Sequence, residues 1–547
     1  MTNIKPESFT KEERQILEPF VTNLDKKVFG LINLPEVIKG ALFSRYSRSE
    51  KSLRQILLKE FIQAPEASFK DIAGEIKITE NQLIATKKAE DFYNRVLIGY
   101  GDDSVAELGG AHLACEYISN IAAKAIEDSR LGISPLEKST RYVLFNKKIN
   151  NQYLYYREPS IIKSKYREIY EETLDYLFDT YSDLIDKLLP WVQAQTPKDK
   201  NTSRRAYKSA TKAKTLDILR GLLPMATLTN VGLFGNGRSF EYLLVKLASS
   251  PHQELRELGQ KMQEELDKMI PSFVKRAKSE RGQEYANYLS KNRVNTNTIT
   301  QKYISLQELD NKENKISATV ELTDYDPNGE SQIIAAILYP HSNLNFNEVK
   351  EVVNNFSQED KIEILKQYVG KRKVRFHRPG RAFEETYYTF DILADIGAYR
   401  DLQRHRVLTQ ERQFYTVDNG YIVPEEIEKS GLSKAYCDAM EKASITYKKI
   451  QKEFPEAAQY IVPFAYFIRW RIKLNLREVY HLVELRSARQ GHPNYRFIAQ
   501  EIYHKIKEVH PNLVAPMSFV DLKDYHLERL AAEQKIDTKI NLLNQVN

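Results

Sequence analysis

The chain has 547 residues, 42% of them hydrophobic and 28% charged, with a formal net charge of +7. That length exceeds one ordinary hydrophobic core, and the composition excludes a disordered polymer. Spread over so large a surface, the charge fits an enzyme for anionic small molecules as easily as a nucleic-acid binder.

Cys115 and Cys437 cannot make a disulfide framework and sit in no C-x-x-C pair, which argues for a reducing compartment and against a cysteine metal site. Met1 to Phe20 lacks the apolar core of a signal peptide, and no run of about twenty apolar residues could span a membrane. The expectation is a soluble cytoplasmic protein without a resident metal.

In chain order, the same series of elements appears twice. A small-residue helix opens each half, at Leu34 to Phe43 and again at Ser331 to Leu338. Polar helical stretches follow at Glu50 to Glu60 and at Asn347 to Tyr368. Each half then carries a Glu, Glu107 or Glu384, ahead of an apolar segment. The spacing of Val105, Ala111, Ala114, Ile118, Ile121, Ala122 and Ala125 predicts a helix, as does that of Phe383, Tyr387, Phe390, Ala394 and Gly397.

A polar loop comes next. Each half closes on an x-Leu/Val-Pro element and a long helix, Arg220 to Pro224 before Asn236, and Gln459 to Pro463 before Asn475. The expected domains are 1–285 and 316–547, joined by a polar connector at 286–315. Helical patterns dominate, with strand candidates at Ile316 to Leu322 and Val374 to Phe376. The fold class is α+β: two modules, each a small, mainly antiparallel sheet packed against long helices.

Arg404, His405 and Arg406 are adjacent cationic or titratable groups read as the end of a helix. Neighbouring guanidiniums repel unless an anion neutralises them, and Arg both chelates phosphate and stacks on planar rings. A solvated helix end favoured by the macrodipole is the plain alternative. Asn475 and Arg486 lie eleven residues apart on one predicted helix face, roughly 16 Å along its axis. Arg477 and His481 add polar groups near its start, a row suited to an extended ligand.

In the first half, Ser139 and Arg141 alternate in a predicted extended loop after Pro135, so both would face one side. A hydroxyl beside a guanidinium suits a phosphate monoester, Glu137 suits a sugar or base, and Arg220 is a further phosphate candidate. Singly, each is more often a structural salt-bridge residue. Gly232 to Gly237 lacks the Gly-Lys-Ser/Thr ending of a P-loop, and no H-E-x-x-H occurs. The basic runs Lys198 to Lys214 and Lys371 to Arg381 could touch nucleic acid, but they lack interleaved aromatic pairs, so solvated basic surface is the better reading.

Taken together, these residues resemble the flavin-dependent thymidylate synthases (ThyX). That family's signature is Arg-His-Arg, a nearby Ser, Glu-x-Ser-x-Arg-Tyr, then Arg-x-x-Leu-Pro and a helix with Asn-x-Arg and a distal Arg. The second half matches at Arg404, His405, Arg406, Asn475, Arg477, Arg486 and Glu384 but has Phe414, Thr416 and Gln459 where Ser, Arg and the pre-Pro Arg should stand. The first half departs at Ser129, Arg130, Leu131 and Leu247. It keeps Ser104, Glu107, Ser134, Glu137, Ser139, Arg141, Arg220, Asn236 and Arg238. The two sets are complementary.

The resemblance implies reductive methylation of dUMP to dTMP, with FAD as cofactor, NADPH as reductant and methylenetetrahydrofolate as carbon donor. Arg404, Arg141 and Ser139 would be the catalytic and substrate-positioning residues. Glu137, Ser139, Arg141, Arg220, Arg404 and Arg486 would bind the nucleotide. Ser104, Glu107, Arg404, His405, Arg406, Asn475, Arg477, His481 and Arg486 would hold FAD. A homodimer would rebuild the family's tetramer from four halves. Two other readings stand beside it: a catalytically inactive flavin- or nucleotide-binding protein on the same scaffold, and a basic helical nucleic-acid binder.

Overall fold

A computed structural model describes residues 8–47, 49–63, 103–129, 131–304 and 317–546. They divide into two compact units. The first takes Met1–Glu116, Ser129–Leu136 and Val231–Leu309; the second takes Tyr117–Asp128, Glu137–Asn230 and Asp310–Asn547. Residues of the N-terminal half contribute to both. Long helices and small antiparallel sheets make an α+β protein, and no helix among the described residues is long and apolar enough to cross a membrane.

Two of the helices read from the sequence are strands for much of their length. Gly110–Ser119 is a strand, and the helix begins only at Asn120–Glu127; Tyr387–Asp395 is a strand ahead of the helix Ile396–Leu402. In Tyr387–Asp395 nearly every side chain is buried whichever face it points to. Doubly covered strands lose alternation, and a continuous apolar run then mimics a helical stripe. Val374 to Phe376 is a turn with Phe376 exposed, whereas Thr319–Tyr325 forms the strand expected near it, Ile316 lying outside the described residues. The polar connector is helical as far as Tyr303, its remainder lying largely outside the described residues.

The helix starts are chemically explicit. Ser119 and Asp395 cap the helices Asn120–Glu127 and Ile396–Leu402, and Asn236 and Asn475 cap Gly237–Ala248 and Leu476–Arg486. A short polar side chain at this point accepts an otherwise orphaned backbone N–H. The strand-cap-helix order is therefore the same in both halves.

In the first unit Phe273 lies against Gly40, Gly109 and Gly237; a Cβ at Gly40 or Gly109 would collide with its ring, and one at Gly237 with its Cβ. In the second unit a four-stranded antiparallel sheet orders Thr319–Tyr325, Tyr387–Asp395, Phe467–Asn475 and Thr409–Arg412. The central pair runs in unbroken register from Tyr387 opposite Asn475 to Asp395 opposite Phe467. The helix Pro493–Val509 packs on the first two strands.

The two Pro elements meet inside the second unit. Met225 N donates to Val462 O at 2.9 Å, and Phe464 N donates to Leu223 O at 3.0 Å. Ala226 N donates to Tyr460 O at 2.8 Å and Ala465 N to Gly221 O at 2.9 Å. Equivalent positions of the two elements thus exchange equivalent bonds about the Pro224–Pro463 bridge, a local two-fold relation written in backbone hydrogen bonds.

Candidate functional site

The helix Ile396–Leu402 and the turn that follows it place Arg400 and Arg404 four positions apart, both reaching Glu137 at the end of the strand Ile133–Glu137. Arg400 Nη2 donates to Glu137 Oε1 at 2.7 Å and Arg404 Nη2 to Glu137 Oε2 at 2.9 Å. Lys124, from the helix Asn120–Glu127, adds a third contact at 2.9 Å and also pairs with Glu127. Burial alone would push the Glu137 carboxyl up, but Arg400, Lys124 and Arg404 hold it far below the usual carboxylate range.

Arg141 forms a fork on Asp217, Nε to Oδ1 at 2.7 Å and Nη2 to Oδ2 at 2.6 Å. Its Nη1 donates to the Tyr495 hydroxyl at 3.1 Å. The chain is extended through Glu137 and without regular structure at Lys138 and Ser139, but it turns at Thr140–Tyr142, so Arg141 does not continue the extended loop read from the sequence. The Ser139 hydroxyl oxygen accepts the Arg141 N–H at 3.2 Å. Two guanidiniums stand near the Tyr495 ring, Arg141 at 5.8 Å and Arg486 at 5.6 Å from its centroid.

Asp401 is the centre of the arrangement. Arg220 Nη1 donates to it at 3.0 Å. Burial pushes its carboxyl up, and Arg220, Arg141, Arg486 and Arg404 together pull it well below the carboxylate range. Around Glu137 and Asp401 stand Lys124, Arg141, Arg220, Arg400, Arg404 and Arg486 against the carboxylates of Glu127, Glu137, Asp217, Asp395 and Asp401, so positive charge is slightly in excess. Arg220 Nη2 and Arg400 Nε are buried with no hydrogen-bond partner among the described residues. Beneath Arg220 a cavity of about 370 Å³ is lined by Lys214, Asp217, Asp395, Tyr436 and His492 among others.

A second relay fixes Arg486. Glu478 Oε1 lies 2.7 Å from His405 Nδ1, and Arg486 Nε donates to His405 Nε2 at 2.9 Å. The acceptor role of Nε2 requires a neutral ring, and burial pushes the His405 pKa down to about 4. His481 Nδ1 also approaches Glu478, at 3.3 Å. With both His405 nitrogens engaged, this trio is a hydrogen-bonded relay. Arg477 is held by Glu384 at 3.0 Å and by the Pro379 carbonyl at 3.0 Å, and Asn475 accepts the Glu478 N–H at 2.9 Å. Arg406 follows His405 and is also engaged.

The second unit thus brings Glu137, Ser139, Arg141 and Arg220 of the first half together with Arg404, His405 and Arg486 of the second. Ser104 and Glu107 belong to the other unit, where Glu107 pairs with Arg238 at 2.7 Å and lines a pocket of about 520 Å³ with Glu36, His112 and Asn236. The Ser104 side chain and Arg130 lie outside the described residues. The variant positions are ordinary structure: Gln459 accepts the Tyr415 N–H at 3.1 Å, Thr416 bonds Asp418 at 2.6 Å, and Leu247 is buried.

Sequence reasoning missed Lys124, Asp217, Arg400, Asp401, Glu478 and Tyr495. Arg400 stands four residues before Arg404, a spacing that shares a helix face, and that signal was available. Asp217 and Tyr495 approach Arg141 only through tertiary packing. The basic runs are partly consumed internally as well, Lys214 by Glu426 and Glu528 and Arg372 by a fork on Glu484.

A family description, thymidylate synthase complementing protein, matches residues 58–272 and again 321–512. The chain belongs to that family. The match falls in two segments of the chain, and the clustered residues divide between those segments. A UPF0159 protein of Chlamydia pneumoniae is 45% identical, covering 97% of this chain and 98% of its own length. A UPF0159 protein of Thermoplasma acidophilum is 33% identical over 92% of this chain and 99% of its own. A flavin-dependent thymidylate synthase of Clostridium tetani is 24% identical, covering 36% of this chain but 84% of its own length.

Proposed function

We propose that the protein is a flavin-dependent thymidylate synthase that methylates dUMP reductively at the cluster around Glu137 and Asp401, one half supplying the nucleotide side and the other the flavin side. The observation that carries this reading is the direct bond from Arg404 to Glu137 within a single compact unit. Membership of the family supports the substrate and cofactor class.

Arg141 and Arg220 would meet the phosphate. Asp217 and Asp401 hold their guanidiniums in fixed orientation, so little side-chain freedom remains to be lost on binding. Arg220 Nη2 is an unpaired buried donor, and a phosphate oxygen would satisfy it. The excess of positive charge suits a dianionic monoester. Ser139 has its oxygen engaged, leaving its O–H free to donate to the ligand; it positions and does not attack. Arg404 would polarise the uracil oxygens as charge develops there, while Arg141 fixes the nucleotide that presents them.

Arg404, Arg406, Arg477, His481 and Asn475 would hold FAD, with His405 acting through Arg486. Their donor set, cations around a partly exposed Arg404 and an unpaired Arg400 Nε, fits an anionic dinucleotide. FAD reduced by NADPH would supply the hydride and methylenetetrahydrofolate the carbon. The assembly proposed is a homodimer that gathers four halves.

A second reading, binding without turnover, is favoured by one observation: Arg141, Arg220 and Arg404 already face carboxylates of the chain itself. Assaying the purified protein for dTMP formation from dUMP, NADPH and methylenetetrahydrofolate separates the two. Flavin absorption with no dTMP, and no rescue of a thymidine auxotroph, would favour the binder; absence of flavin binding would remove both.

A further inference from the structure

Arg529 is a guanidinium that burial has stranded. It is 8% exposed, and its Nε and Nη1 have no hydrogen-bond partner among the described residues. The group lies over the ring of Tyr142 at 3.9 Å, next to the turn that carries Arg141. Burial and the nearby Arg141 charge push its pKa down to about 9, and Glu533 opposes them. Glu533 is itself engaged by Arg205 at 2.9 Å.

The segment that delivers Arg529 is clamped at several points. The helix Leu530–Val546 packs along Arg204–Leu219. Arg205 holds Glu533, Gln534 Nε2 donates to Thr202 at 2.8 Å, and Lys214 pairs with Glu528 at 2.9 Å. Arg529 is therefore fixed in place over Tyr142, the residue that follows Arg141 in the chain. A buried guanidinium with unpaired N–H groups, stacked on the residue next to a second arginine, suits an oxyanion: Arg's planar fork matches phosphate and carboxylate alike. An unpaired buried charge is otherwise so unfavourable that a neutral side chain would serve better. Arg529 also lies beyond residue 512, where the second family match ends.

We propose that Arg529 and Arg141 together form an oxyanion subsite that receives a phosphate or carboxylate group of the ligand. The subsite rests on the thymidylate synthase reading only for the ligand's identity, which is either the phosphate of dUMP or the glutamyl carboxylates of the folate.

The test is calorimetric titration of the full chain and of Arg529→Gln with dUMP, deoxyuridine and tetrahydrofolate. Inorganic phosphate is followed alongside by thermal shift. The expected result is dUMP binding weakened about tenfold or more, deoxyuridine binding unchanged, and the phosphate-induced rise in melting temperature lost. Weakened tetrahydrofolate binding with dUMP untouched assigns the subsite to the carboxylate instead. A variant that binds all three as the natural chain does overturns the proposal, whatever its melting temperature.

Should Arg529→Gln not fold, hydrogen exchange on the unaltered chain decides. Inorganic phosphate should protect the peptide spanning Leu527 to Glu533, and no protection overturns the subsite. Phosphate protection without any dUMP or folate binding would leave the subsite standing and defeat the thymidylate synthase reading.

Discussion

Arg404 donates to Glu137 at 2.9 Å across 267 positions of sequence, joining the two halves of the chain at one carboxylate. Arg400 and Lys124 reach the same group. Breaking such a buried network by removing one partner leaves uncompensated charge, which costs about 3–5 kcal/mol. Glu137→Gln should therefore lower stability by an amount of that order and weaken nucleotide binding, measured by denaturant titration and calorimetry.

The same carboxylate sets a pH dependence. Its pKa in the folded protein is depressed from the ordinary 4.5, so the unfolded chain binds the proton more readily. The stabilisation is complete above pH 4.5 and is lost as pH falls through the folded value. Melting temperature should drop on acidification below about pH 4.5, and the drop should be shallower in Glu137→Gln. An equal slope in both proteins would remove Glu137 from this role.

His405 acts in a different window. Its folded pKa, near 4, lies below the ordinary 6.5, so stability from the neutral ring is full above 6.5 and declines as pH falls from there toward 4. Proton NMR of the ring should show it neutral at about pH 6. Glu478→Ala should loosen the relay, leaving Arg486 less fixed and flavin affinity lower, whereas Glu478→Gln should retain part of it.

Restoring signature residues at the degenerate positions should not create a second site. Gln459 is 2% exposed and Leu247 1%, so Gln459→Arg and Leu247→Arg would each bury a charge with no prepared partner. Both should destabilise the protein by several kcal/mol and leave dTMP formation per folded chain no higher than before.

Sequence order is enough to read the helix starts at Asn236 and Asn475, the helix Leu476–Arg486 and the complementary loss of Arg residues between the halves, because each is a local pattern. The strand Tyr387–Asp395 reads as a helix because apolar residues run through it without alternation. Gly110–Ser119 does because its buried Ala111, Cys115 and Ile118 fall at helical spacing, the alternation being interrupted near Tyr117, whose φ is positive. Asp401 is invisible for another reason: its importance comes from four arginines, three of them brought to it by packing from distant segments. Arg529 lies seventeen residues past the family match, and only packing against Tyr142 reveals it.

The most direct measurement of the central claim pairs Arg141→Ala with Arg404→Ala. Each variant alone should lose about a hundredfold or more in turnover. Because Arg141 and Arg404 belong to one compact unit of one chain, co-expressing the two variants should restore nothing. Recovery of dTMP formation in the mixed preparation would show that the two residues act from different chains and would contradict the account.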